Sequence, residues 1–300
     1  MNDRKKPKGT KARVQAYKKR LTYVGHAIIV GILIAIIAAS SFFLYSMLHS
    51  PSDQNPVNPT LQFQPDNPNP KLQAAIVDHL SLTFPNQTFI ETATNTLKQA
   101  GYTADYYSGE RVTVEFYRNL PTHGYNIIIL RVHSAAAALE GKEYVEAPVS
   151  LFTSENYSRT TYVWEQLTDQ LWIASYSMPE PPYYFAITPK FVTSSIQGKF
   201  PNSIIVMMGC EGLNNTKMAE AFVEKGAKVY ISWNQQVSAS HTDLATTHLL
   251  QHLLTEKLTL KESVKETFKE VGLDPAYKSL LIYYPLEVGE QTIEDITGEN

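Results

Sequence analysis

Residues 203–233 read SIIVMMGCEGLNNTKMAEAFVEKGAKVYISW. Two short apolar runs, 203–208 (SIIVMM) and 228–233 (KVYISW), flank a segment whose apolar residues recur at helical spacing and end at Gly226. Runs of this length without polar alternation predict strands buried on both faces, and a strand–helix–strand unit predicts a parallel pair. Gly226 sits where a helix C-terminus wants a residue free to take positive φ.

Working outward, the same alternation recurs. On the N-terminal side KLQAAIVDH (71–79) predicts a strand, and 86–99 a helix through Phe89, Ile90, Ala93 and Leu97, stopped by Gly101. A second strand follows at 102–107, a short helix at 112–120 closed by Pro121, and a dense apolar strand at YNIIILRV (125–132). On the C-terminal side, helices are expected at 242–257 and 260–271 and a last strand at SLLIYY (279–284). Residues 139–198 follow a looser pattern, with strand-like PVSLFTS and LWIASYS and a proline cluster at 179–182, and read as an insertion at one end of the sheet. The acidic residues 287–300 read as a solvated tail. The expected fold class is α/β, with a mostly parallel sheet covered by helices in three layers.

What precedes this body differs in chemistry. The 300 residues carry 26 Lys+Arg and 29 Asp+Glu, a formal net charge of −3. Residues 1–20 hold nine of the basic side chains against one acid, a net of +8, which leaves −11 for the remainder. From 24 to 48 there is no Asp, Glu, Lys or Arg. A helix of that length spans roughly 37 Å, enough to cross a hydrocarbon core of about 30 Å. Basic residues on one flank only predict a cytoplasmic N-terminus and an external body. The alternative is a cleaved signal peptide, with Ala38-Ala39-Ser40 as the small-residue site, but Phe42, Phe43, Leu44 and Met47 continue the apolar run beyond it. Residues 51–70, with six prolines and four asparagines, predict an extended spacer. The expected organisation is a basic cytoplasmic segment 1–20, one transmembrane helix 21–49 in contact with membrane lipid, a linker 50–71 and an α/β domain 72–300. Sequons at Asn86, Asn156 and Asn214 fit an external domain.

Composition excludes several classes. A charged fraction of 18% with 43% hydrophobic residues is not that of a disordered chain. One cysteine permits neither a disulfide scaffold nor a cysteine-based zinc site. No phosphate-binding glycine motif is present, and the basic head is what a membrane anchor needs in any case, so neither nucleotide nor nucleic acid is expected. His241, His248 and His252 share a helix face, and the last two, at i and i+4, have chelating spacing. That face lies opposite Leu250, Leu253 and Leu254, in solvent, with no carboxylate completing a set. No metal and no cofactor are expected.

In parallel sheets chemistry gathers at the carboxyl ends of the strands. The residues there are Asp78 and His79, His133, Cys210, and Trp233-Asn234-Gln235. An imidazole beside a thiol can generate the thiolate nucleophile and then protonate a leaving group, with backbone N–H groups at the adjoining turns binding an oxyanion. A lone cysteine also serves as a small buried hydrophobe, and a strand-end histidine as a structural residue.

The order strand–His, insertion, strand–Cys, helix, strand resembles the caspase-like cysteine peptidases, a group including caspases, gingipains, clostripain, legumain, separase and the CHAT domains. YNIIILRVH (125–133), GCEG (209–212) and GAKVYISW (226–233) carry the resemblance, which is nearest to the CHAT and gingipain branch and covers about residues 72–285. It implies a three-layer caspase-like fold and a cysteine endopeptidase acting on a peptide or protein. Cys210 would be nucleophile and His133 general acid/base, with the N–H groups of Ser134 and Cys210 forming the oxyanion hole. Asp78, Glu211 and Trp233 would line the substrate pocket, Asp78 pairing with a basic side chain at the cleavage site; the alternatives are that Asp78 caps a turn and that Trp233 packs in the core. The family usually places glycine after the histidine, where this chain has Ser134. A side chain there could crowd a substrate carbonyl, so an inactive descendant that only binds a peptide or protein is the alternative. An α/β solute-binding domain with a chance cysteine is a third.

Overall fold

Among the described residues ten strands build two separate sheets. In the computed structural model residues 72–136, 147–176 and 181–298 are described, all within one compact unit, 67–300. The expected segments 1–20, 21–49 and 50–71 lie outside the described residues. Among the described residues no helix is long and apolar enough to cross a membrane.

The main sheet comprises β1 (Gln73–Asp78), β2 (Thr103–Ser108), β3 (Ile127–Arg131), β8 (Ile204–Met207), β9 (Val229–Trp233) and β10 (Leu281–Tyr284), in the order β10-β9-β8-β3-β1-β2. All neighbours are parallel except β10, which runs antiparallel to β9. The protein is therefore α/β with a mostly parallel, mixed sheet. Alternate residues of the central strands feed two apolar layers. Ala74, Ile76, Ile127, Ile129, Ile204, Val206 and Ile231 face α1 (Gln87–Gln99), α6 (Ala239–Leu250) and α7 (Leu260–Val271). Ala75, Val77, Ile128, Leu130, Ile205, Met207 and Tyr230 face α2 (Val114–Asn119), α4 (Pro189–Ser194) and α5 (Lys217–Glu224). Burial on both faces is why these strands read as unbroken apolar runs.

Helix ends follow local chemistry. Asn86 caps α1 by accepting from Phe89 N–H, Thr113 caps α2, and a capping box of Thr259 and Glu262 opens α7. Because Asn86 also donates to Asp243, its side chain is fully committed to the fold.

Both strand-like pieces expected within 139–198 are strands: β4 (Ser134–Ala136), β5 (Val149–Asn156), β7 (Tyr184–Ile187) and β6 (Leu171–Ala174) form an antiparallel sheet of their own in that order, joined by the short α3 (Val163–Leu167). Two expectations are corrected. The C-terminal segment is not a solvated tail. It folds into α8 (Ile293–Thr297), opened by a Thr292/Asp295 capping box and burying Ile293 and Ile296 in the same layer as Leu260. Finally, α6 begins three residues earlier than expected and runs on through a π-helical turn at Gln251–Thr255, which bears on the histidines considered below.

Candidate active site

The carboxyl ends of β1, β3 and β8 lie in register, Asp78 beside Arg131 and Leu130 beside Met207. The chain beyond each strand therefore emerges on one edge. There a cavity of about 490 Å³ is lined by Leu80 and Phe84 after β1, Val132 and His133 after β3, and Met208, Gly209 and Cys210 after β8. Val237 to Ser240, Thr242 and Tyr277 complete it from the loop after β9, the start of α6 and the loop before β10. Cys210 and His133, 77 residues apart in sequence, thus line the same cavity.

Two glycines hold the cysteine turn close to the sheet. A Cβ on Gly209 would collide with Val132 O and Ser134 Oγ, and one on Gly212 with the ends of Met207 and Ser232. Between them Glu211 adopts positive φ, 65°. Its carboxylate, raised above its usual pKa by burial, accepts from Ala136 N–H at 2.6 Å. Ser134 Oγ donates to Cys210 O at 2.5 Å. The edge of the second sheet is thereby fastened to the cysteine turn.

This attachment decides where amides point. Phe152 N–H donates to His133 O, which makes the Ser134–Leu151 pair of β4 and β5 a non-hydrogen-bonded pair. The Ser134 N–H therefore points off the sheet edge, on the same side as the Ala136 N–H that meets Glu211. Among the described residues the Cys210 N–H donates to no carbonyl oxygen. Ser134 itself is 7% exposed and does not line the cavity, so its side chain is directed at the Cys210 carbonyl and not at the space above the sulfur.

His133 stands in an aromatic enclosure. Ring centroids of Tyr176, His79, Phe84 and Phe152 lie 4.7, 5.8, 6.0 and 6.0 Å away, two of them supplied by the second sheet. Its Nε2 is within 2.8 Å of Thr83 Oγ1, while Nδ1 has no hydrogen-bond partner among the described residues. Burial, with the Arg131 charge nearby, holds His133 down at about 4, so the imidazole is neutral at physiological pH. Burial, with the Asp274 charge, pushes the Cys210 thiol up, while the Val237 amide, 3.5 Å from the sulfur, and the N–H of Cys210 itself work against it. Sulfur and imidazole are not hydrogen-bonded to one another among the described residues. The resting pair is accordingly a thiol and a neutral base.

The remaining expected pocket residues are placed elsewhere. Asp78 is 1% exposed and accepts from Arg131 Nη1 at 2.7 Å and from Tyr106 at 3.1 Å, so it serves the core and not the cavity. Trp233, 1% exposed, donates to Thr242 Oγ1 and packs on His241 behind the cavity wall. Glu211 is committed to Ala136. Among the described residues no charged side chain lines the cavity.

Two residues beneath the site escaped the sequence reading. Arg131, fully buried, forks onto Asp243 through Nε and Nη2 at 2.7 and 2.8 Å, meets Asp78, and donates to Phe84 O. It ties β1, β3, α6 and the segment carrying Thr83 and Phe84 together two residues before His133. An arginine inside the run YNIIILRVH was the available signal, because a buried cation needs anionic partners. Asp274, also fully buried, accepts from Ser238 N–H and from Ala276 and Tyr277 N–H, joining the two loops that form the cavity rim.

Neither protein-family models nor curated proteins match the chain.

Proposed function

We propose that the protein is a cysteine endopeptidase of caspase-like architecture, with Cys210 as nucleophile and His133 as general acid/base. The observation that carries this reading is that the only cysteine and His133 line one cavity at the carboxyl edge of a mostly parallel sheet. A cavity of this size suits a peptide side chain. Its lining of Leu80, Phe84, Val132, Met208, Val237 and Tyr277 favours an apolar residue near the cleaved bond. The basic residue suggested by Asp78 is less suited, Asp78 being paired with Arg131.

In the reaction Sγ of Cys210 attacks the peptide carbonyl carbon as its proton passes to His133. The carbonyl oxygen, now anionic, takes hydrogen bonds from the N–H groups of Ser134 and Cys210. Collapse breaks the C–N bond, the departing amine takes the proton from His133, and a thioester remains on Cys210. Water, deprotonated by His133, attacks the thioester and releases the acid and the thiol. A neutral imidazole in the resting state fits the first of these steps, since it must accept a proton. The apolar run 24–48 and the proline-rich stretch after it support an anchored enzyme acting outside the membrane.

A second reading, a binding-only relative, is favoured by the absence of a thiol–imidazole hydrogen bond and by the raised thiol. The two separate in one experiment on the full chain, in which a peptide library is digested by wild type, Cys210→Ala and His133→Ala. Cleavage after apolar residues that is lost in both variants supports the peptidase. Binding of peptides without cleavage, unchanged in both variants, supports the alternative.

A further inference from the structure

The π-helical turn at Gln251–Thr255 carries α6 against α7, and it places His252 in the interface instead of in solvent: this imidazole is 4% exposed. His248 lies one turn earlier, and Glu270 reaches across from the last turn of α7. One ligand atom from each of these three residues lies within 4.8 Å of the other two. Glu270 Oε2 touches His248 Nδ1 and stands 3.3 Å from His252 Nε2. The other nitrogen of His252, Nδ1, is 2.9 Å from Glu256 Oε2. We propose that His248, His252 and Glu270 form a binding site for a divalent transition-metal ion of the zinc class, separate from the cysteine cavity.

The chemistry follows from the hydrogen-bond inventory. A neutral imidazole has a single N–H, yet both nitrogens of His252 face carboxylates. If Nδ1–H donates to Glu256, the lone pair on Nε2 faces the oxygen of Glu270. Two electron-rich atoms at that separation need a proton or a metal cation between them, and His248 Nδ1 at the same carboxylate oxygen supplies a third ligand for a metal ion. A carboxylate behind one ring nitrogen, with the other free to ligate, is the arrangement that orients metal-binding histidines. Two imidazoles and one carboxylate are borderline ligands that suit Zn²⁺, Co²⁺, Ni²⁺ or Cu²⁺ over Mg²⁺ or Ca²⁺. His248 at 31% and Glu270 at 44% exposure leave the remaining coordination positions to water. Bound there, the ion would staple α6 to α7. The other end of α6 supplies Ala239, Ser240 and Thr242 to the cavity.

The test is Zn²⁺ binding to the untagged, chelator-stripped full chain, measured by competition with a chromophoric chelator. Alongside it are His248→Ala, Glu270→Gln and Cys210→Ala. The first two alter a half-buried and an exposed side chain, and thermal melts of the metal-free proteins check that they fold as wild type does. One equivalent bound at micromolar affinity or better is expected, weakened at least tenfold in His248→Ala and in Glu270→Gln, unchanged in Cys210→Ala, and undisturbed by excess Mg²⁺. Co²⁺ in the same site should show the visible absorption of a low-coordinate ion. No Zn²⁺ bound at about 100 µM overturns the proposal. So does a loss below tenfold in either ligand variant, or a loss of binding in Cys210→Ala.

Discussion

Arg131→Met exposes most about how this site is held. The substitution keeps the apolar bulk of the side chain but removes all four hydrogen bonds of the guanidinium, two to Asp243, one to Asp78 and one to Phe84 O. It leaves two buried carboxylates, Asp78 and Asp243, without their cation. Removing one partner from a buried, fully bonded ion pair costs about 3–5 kcal/mol, a large share of the roughly 5–15 kcal/mol that holds a domain folded. With a urea m-value of about 2–3 kcal/mol per molar, the unfolding midpoint at pH 7 should fall by about 1–2 M. The pH dependence supplies a second check. In the variant, burial without a cation favours the protonated acids, which raises their folded pKa above the unfolded value. The variant should then regain stability relative to wild type as pH falls through the carboxylate range and lose it again as pH rises. Arg131→Lys, which keeps the charge but not the bidentate fork, should lie between the two. A midpoint shift worth less than about 1 kcal/mol, or a deficit that does not change with pH, would refute the reasoning.

Other outcomes follow from the same geometry. Ser134→Gly, which places there the glycine usual among the proposed caspase-like relatives, should cost about 0.5–1.5 kcal/mol through loss of the bond to Cys210 O, measured by urea unfolding. It should not raise kcat/KM, because the serine side chain does not enter the cavity. Gly209→Ala forces its Cβ onto a backbone oxygen and should abolish peptide cleavage while leaving a folded protein, as read by circular dichroism. In acid, His79 held at about 3 and His133 at about 4 resist protonation that the unfolded chain accepts near 6.5. Their contribution to stability is full above 6.5 and lost as pH falls through the folded values. At about 1.4 kcal/mol per pKa unit the loss amounts to several kcal/mol by pH 4. His79→Gln should flatten that decline in an acid titration of the unfolding midpoint.

How much of this was legible in the sequence depended on range. The central strands were readable because 127–131 and 204–207 bury both faces and so show no polar alternation. The site edge was readable too, since His133 and Cys210 follow those strands directly. What pairs with what was not. Asp78 looked available at a strand end, but its partner Arg131 lies 53 residues away, and Asp243 a further 112 beyond Arg131. The pieces PVSLFTS and LWIASYS read as strands, but their assembly into a second sheet does not show in the sequence, because β5 meets β7 across a register shift between Phe152 and Asn156. The approach of Phe152 and Tyr176 to His133, half of its enclosure, depends on that assembly. The wheel of a regular helix puts His252 in solvent. The π turn and the covering α7, which brings Glu270, place it inside.

The most direct test of Cys210 catalysis compares labelling by a peptidyl electrophile carrying an apolar residue beside its warhead in wild type and His133→Ala. Each rate is normalised to iodoacetamide, which reports thiol exposure alone. A peptidase with this dyad should label rapidly and at Cys210 only, with the normalised rate falling at least about tenfold when the imidazole is removed. Equal, slow labelling in both proteins, at the pace of a simple buried thiol, would contradict it.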